Sequence, residues 1–311
     1  MTLKMAGTSD QNTTMRTTGG AAEVAILPDR RPSRLGGIAR WYRSDLRGAL
    51  SLSFLVALVA ISTMAPWVAP HSPTDQDFNA MMAPMSAEHW LGADDLGRDT
   101  MSRLIYGGMA SLYASFLAVV VAILLGVPVG LLAGYLGGWF DEIISRIIDS
   151  LLSFPAIVLA IAVTGALGIG LTNGMISVGI VFAPQLARLV RARTLVVRHE
   201  LYVDSARCFG ASTGRILWRH ILPNTIQPVI VQVTLLLAGA LLAEASLSFL
   251  GLGIQPPNAS WGAMLARAYQ NMEIAPEQMY PPGLAILLTA LAFNTLGESL
   301  RAVLDPTMKR N

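Results

Sequence analysis

Lysine is nearly absent from this chain. Only Lys4 and Lys309 occur among 311 residues. A P-loop needs a lysine within a GxxxxGK[ST] run, and neither lysine lies in one, so ATP hydrolysis by such a loop is excluded. Cysteine occurs once, at Cys208, which rules out an internal disulfide; it reads as a small apolar filler. Charged residues make up 14%, against about 25% in an ordinary soluble domain, so the chain lacks the polar surface to face water on all sides. The four histidines, His71, His89, His199 and His220, are scattered. They show no spacing that gathers metal ligands, and no metal site is read from them. No nucleophile and base stand out on facing helices, so no catalytic residue is assigned. A net charge of +2 is too small to suggest nucleic acid.

What the chain has instead is apolar length. Hydrophobic residues reach 53% and the mean hydropathy is +0.52. A bilayer core about 30 Å thick takes roughly 20 apolar residues per helix. Six segments meet that demand: Ala49–Ala69, Leu112–Gly134, Leu151–Leu167, Met175–Leu189, Ile226–Leu252 and Gly283–Leu300. The reading is an all-α integral membrane protein with about six transmembrane helices and no internal repeat. Nineteen of the 22 basic residues then fall on one side, leaving Arg98, Arg103 and Arg267 on the other. The excess of Lys and Arg marks the cytoplasmic side, so both termini are expected there. The first outer loop carries the acids Asp75, Asp77, Glu88, Asp94, Asp95 and Asp99.

The organisation follows from these segments. Residues 1–47 form a cytoplasmic N-terminal tail, mobile over its first 36 or so residues and too polar for a cleaved signal peptide. Residues 48–70 are the first crossing, 71–110 an extracytoplasmic segment, 111–304 a transmembrane core with a cytoplasmic loop at 190–225, and 305–311 a cytoplasmic end. Gly126, Gly130 and Gly134, four apart, align on one helix face and let two backbones approach closely. Pro128, Pro155 and Pro184 are expected to bend the bundle.

The most informative stretch runs from Tyr202 to Thr225, YVDSARCFGASTGRILWRHILPNT. It reads as two short helices hinged at Gly210. Tyr202, Ala206 and Phe209 form an apolar stripe on the first. Gly210 suits a left-handed helix end, Ser212 caps the second helix and Pro223 stops it. Arg207, Arg215, Arg219 and His220 occupy the polar faces. A loop this apolar needs a protein surface to dock on. These residues resemble the EAA loop of permease subunits in binding-protein-dependent ABC importers: Asp204-Ser205-Ala206, then Gly210, then Leu222-Pro223. Asp204 stands for the usual Glu and Ser205 for the usual Ala. The resemblance implies a type I ABC importer transmembrane domain in the bacterial inner membrane. It makes Tyr202, Asp204, Ser205, Ala206, Gly210, Ser212, Arg215, Leu222 and Pro223 the loop that couples to the ATPase.

Further stretches narrow the resemblance to the C-type permease of the dipeptide, oligopeptide and nickel branch: LGADDLGRDTMSRLIYG (Leu91–Gly107), AEASLSFLGLGIQPPNASWGAML (Ala243–Leu265) and PPGLAILLTALAFNTLGESLRAVLDP (Pro281–Pro306). In the first, Asp99 can cap a helix starting near Thr100 and pair with Arg103. In the second, Trp261–Gln270 can form a short amphipathic helix, with Trp261 and Tyr269 suited to the membrane interface. The implied partners are a second, homologous permease making a heterodimer, two ATP-binding subunits using ATP and Mg2+, and an extracytoplasmic substrate-binding protein. The implied substrate is a dipeptide or oligopeptide, with glutathione or nickel as alternatives. No cofactor is expected on this chain. Glu244 is the one acid well inside an apolar segment, where a charge is costly; it is either a pathway residue or a carboxyl bonded to a neighbouring helix. Gln227 and Gln232 are weaker pathway candidates. A self-powered secondary transporter or channel would want more mid-membrane charge and inverted repeats.

Overall fold

Asp45 opens the part of the chain that the computed structural model describes, residues 45–304. The expectations for residues 1–44 of the N-terminal tail and for 305–311 lie outside the described residues. The Asp45 carboxylate accepts from the Gly48 amide and caps α1 (Leu46–Thr63). It also accepts from the Ser299 hydroxyl near the other end of the chain. These two bonds, Ser299 first, hold its carboxyl below the usual carboxylate range. A short α2 (Ala65–Val68) follows. The next long helix is α3 (Thr100–Leu136), capped as the sequence predicts: Asp99 accepts from the Ser102 amide at 2.7 Å. At 37 residues it is about 55 Å long, well beyond a bilayer core, and it starts twelve residues before the apolar run does. The mixed stretch 100–111 hides these turns from a hydropathy reading. Arg103 does not pair with Asp99. Its guanidinium faces Asp94 at 3.5 Å and donates to the Pro73 and Pro257 carbonyls.

The expected third crossing is a bent pair. α4 (Gly138–Ser153) and α5 (Ala156–Leu167) meet at 98°. Pro155 disfavours helical backbone at Phe154, which is extended there, and the break falls at that point. α6 (Leu171–Val197) extends the expected fourth segment at both ends.

The glycine stripe of α3 packs on α6. A Cβ at Gly126 would sit 2.7 Å from the Ala183 carbonyl, at Gly130 2.5 Å from that of Ala187, and at Gly134 2.6 Å from Thr194 Cβ. Residue numbers rise together along this seam, so α3 and α6 run parallel. A crossing must therefore return the chain between them, and only α4–α5 is available. Five described helical stretches are long and apolar enough to span a membrane, and the bent pair makes six.

α7 (Leu201–Cys208) and α8 (Thr213–Arg215) come next. α8 passes through a π-helical turn, Ile216–Ile221, into α9 (Leu222–Phe249). Thr213–Phe249 is thus one continuous helical stretch, and Pro223 does not stop it. Proline lacks a donor, but it falls where the pitch returns to α, and the Asn224 side chain donates to the His220 carbonyl at 2.7 Å. α10 (Trp261–Gln270) matches its predicted bounds, and α11 (Tyr280–Leu304) closes the bundle on α9 and α1. Among the described residues there is no strand.

Trp261 is not an interfacial anchor. It is 1% exposed, and its indole N–H donates to the Leu104 carbonyl at 2.9 Å. Tyr269 is exposed, beside Phe249.

Candidate functional site

The α6–α9 connection holds most of the residues singled out in sequence, and its local chemistry explains its shape. α7 ends in a Schellman motif: the Gly210 amide donates to the Arg207 carbonyl (2.9 Å) and the Ala211 amide to that of Ala206 (3.0 Å). The motif requires a left-handed residue between them, and Gly210 has φ +73°. Ser212 stands at the N-cap of α8, but its hydroxyl accepts no capping bond; only its carbonyl is used, by the Ile216 amide.

One residue of α7 is fully buried in the bundle. Val203 is fully buried in a cluster with Leu131, Leu186, Val190, Ile216, Leu217 and Ile221. Of the stripe read from Tyr202, Ala206 and Phe209, the two aromatic side chains are exposed, as a face that docks on another protein requires, and Ala206 is half-buried. Phe209 is 90% and Leu201 83% exposed, and Tyr202 and Trp218 are exposed as well. Asp204, Ser205, Arg215 and Pro223 are exposed, whereas Ala206 and Leu222 are half-buried. Cys208 is exposed too, not a core filler. Asp204 is held by Arg207 at 3.0 Å, and Arg207 stands over the Tyr135 ring at the end of α3. The connection therefore presents a row of large apolar side chains beside an oriented carboxylate. No spacing signal in the sequence singled out Val203 as the anchor.

Beside this connection lies an open groove. Gln227 and Gln232 line it with Asn224, Arg193 and Arg301, over apolar walls from Leu189, Val231 and Leu235. Glu244 sits elsewhere, twelve residues beyond Gln232. It is 1% exposed. Its Oε1 accepts from Ser248 at 2.7 Å and its Oε2 from Ser111 of α3 at 3.2 Å. Ser111 accepts in turn from the Trp261 amide at 3.1 Å. The carboxyl thus joins α9 to α3 and to the start of α10.

At the far end of α3, the segment 71–99 folds over the bundle. Arg98 binds Asp94, Arg267 binds Asp95 at 3.1 Å, and Gln278 donates to the Ala93 carbonyl at 2.8 Å. Two histidines that looked scattered meet here: His71 and His89 have ring centroids 5.2 Å apart, beside Asp99.

Residues 126–310 match the family model of the binding-protein-dependent transport system inner membrane component. The chain belongs to this family. The glutathione transport system permease protein GsiD of Shigella flexneri serotype 5b (strain 8401) is 45% identical over 285 residues, 91% of this chain and 94% of that protein. GsiD of Escherichia coli O6:K15:H31 (strain 536 / UPEC) matches to the same extent. A chain of the MetNI methionine ABC transporter, in an inward-facing conformation, superposes with a TM-score of 0.54 at 19% identity, covering 66% of this chain and 98% of that one. That likeness concerns the fold, a type I importer transmembrane domain. The permease is a multi-pass subunit of an ABC importer.

Proposed function

We propose that this permease imports small peptides, glutathione among them, as one half of a heterodimeric pathway in the bacterial inner membrane. The observation that carries the substrate is the 45% identity to glutathione permeases along 91% of the chain. Glutathione is itself a tripeptide, so the peptide resemblance and this relative point to one chemistry. Two separate ATP-binding subunits, with ATP and Mg2+, supply the energy, and a substrate-binding protein delivers the cargo outside. The exposed Leu201, Phe209 and Trp218 with Asp204 support α7 as the helix that docks on an ATPase. Gln227 and Gln232 line the inner part of the pathway. Glu244 acts as a fastening residue between α9, α3 and α10.

The complete importer, reconstituted in liposomes, is expected to take up labelled glutathione and dipeptides in competition with each other. Uptake requires ATP and the binding protein. Uptake of nickel ions alone, or glutathione uptake by this chain without any ATPase, overturns the proposal.

The orientation has its own check. Both termini and the α6–α9 connection belong in the cytoplasm, supported by the bias of basic residues. In a Cys208→Ser background, Ser86→Cys and Asn258→Cys, both at exposed positions, react with a membrane-impermeant thiol reagent in intact cells. Thr213→Cys reacts only after permeabilisation. The reverse pattern turns the topology over.

A further inference from the structure

We infer that His71, His89 and Asp99 form a divalent transition-metal site of the Zn2+ class at the end of the bundle opposite α7. Neither the transport reaction nor any resemblance calls for one. The side chains come from three places: the turn after α2, the segment before α3, and the cap of α3 itself. Asp99 Oδ1 lies 3.0 Å from His89 Nδ1 and 3.8 Å from His71 Nδ1, and the three ligand atoms lie within 4.8 Å of one another. A tetrahedral Zn2+ with bonds of about 2.0–2.1 Å holds its ligand atoms roughly 3.3 Å apart. The two distances to Asp99 bracket that spacing, and the separation of the two imidazole nitrogens, 4.8 Å at most, closes to it by a shift of up to about 1.5 Å.

The surroundings favour that shift. Asp99 Oδ2 is fixed by the Ser102 amide (2.7 Å) and hydroxyl (2.6 Å), which leaves Oδ1 directed at the imidazoles. The His71 amide donates to that same Ser102 hydroxyl at 3.0 Å. The Ser86 hydroxyl accepts from the His89 amide at 3.0 Å. The Ser102 bonds orient the Asp99 carboxylate as outer bonds orient metal ligands, and the two amide bonds hold the main chain that carries the imidazoles. His89 and Asp99 are buried, whereas the His71 ring is partly exposed; that ring can turn, and solvent reaches the site for entry and for a fourth ligand. Two imidazole nitrogens and one carboxylate oxygen suit zinc-class ions over Ca2+ or Mg2+, which prefer oxygen. The neighbouring Arg98 and Arg103 are both directed at Asp94. A bound ion would clamp the chain leaving α2 to the start of α3, and so brace the outer segment.

The test uses the assembled importer in lipid nanodiscs, purified without a polyhistidine tag and titrated with Zn2+ by calorimetry and with Co2+ by visible absorption. The expected result is one Zn2+ per permease chain with affinity on the order of micromolar or tighter, together with the d–d bands of tetrahedral Co2+. His71→Ala leaves the Asp99–His89 bond and the cap in place. It weakens Zn2+ binding by about tenfold or more. His89→Asn, able to keep a bond to Asp99, removes the site and its Co2+ bands. Zn2+ also raises the thermal midpoint of the wild type and not of His89→Asn. Equal binding by wild type and both variants, or no stoichiometric binding at hundred-micromolar Zn2+, overturns the assignment.

Discussion

Gly210→Val and Asp204→Arg are each expected to bring the ATPase rate of the assembled importer, stimulated by loaded binding protein, down to its unstimulated level. Uptake falls with it. At Gly210 the effect is one of backbone. A Cβ there would meet nothing within 4 Å, so no clash arises, but φ is +73°, a conformation that valine adopts poorly. Relaxing it breaks the two Schellman bonds to the Arg207 and Ala206 carbonyls and re-aims α7, whose one fully buried residue is Val203. At Asp204 the effect is electrostatic. Arginine removes the partner of Arg207 and places a second positive charge on the docking face. About 1.4 kcal/mol of lost docking is a tenfold loss of binding, so uptake is expected to fall roughly tenfold or more. Gly214→Ala is the control. Its position is helical, exposed and open to a Cβ, and both activities stay near wild type. Liposomes carrying the purified complexes report both quantities, and immunoblots of membranes report that the bundle still accumulates. Full ATPase stimulation in both variants would place the coupling surface elsewhere.

Glu244→Ala is expected to destabilise the permease far more than Glu244→Gln. Alanine leaves the Ser111 and Ser248 hydroxyls facing a cavity between α9, α3 and α10, with the Ser111 link to the Trp261 amide unsupported. Two lost hydrogen bonds and the cavity cost about 2–4 kcal/mol, a thermal midpoint lower by roughly 5 °C or more. Glutamine keeps the volume, and one serine need only turn its hydroxyl to accept from the new amide. Fastening therefore predicts near-normal uptake per folded complex in Glu244→Gln. If Glu244→Gln abolished uptake at unchanged thermal stability, the carboxyl would belong to the pathway after all. Thermal denaturation in detergent, run beside uptake in liposomes, separates the two.

Much of the site was legible because it rests on short-range chemistry. Gly210 was readable as a left-handed helix end, since helix C-caps depend on a few consecutive residues. Asp99 was readable as a cap for the same reason. The facing of α7 was legible only in part. The apolar stripe called for a protein surface, and Tyr202 and Phe209 are exposed to meet one, but nothing in the linear pattern marked Val203 as the residue that points in. Periodicity finds an apolar face without saying whether its partner is the same chain or another protein. Pro223 was assigned a stop that a continuous 37-residue helical stretch, with its π-helical turn, does not make, and Ser212 holds the N-cap through its carbonyl without its hydroxyl accepting a bond.

Six crossings, their order, the basic bias and the glycine seam of α3 were all present in the linear chain, because each is a property of one segment against a bilayer. Which segments touch was not. The parallel run of α3 and α6, the burial of Trp261 under Leu104, the link from Ser111 to Glu244 and the meeting of His71 with His89 join residues that lie 18 to 157 positions apart. In lipid an apolar side chain gains little by turning inward, so composition cannot tell a core face from a lipid face. Close packing and hydrogen bonds decide that, and they exist only once the helices have come together.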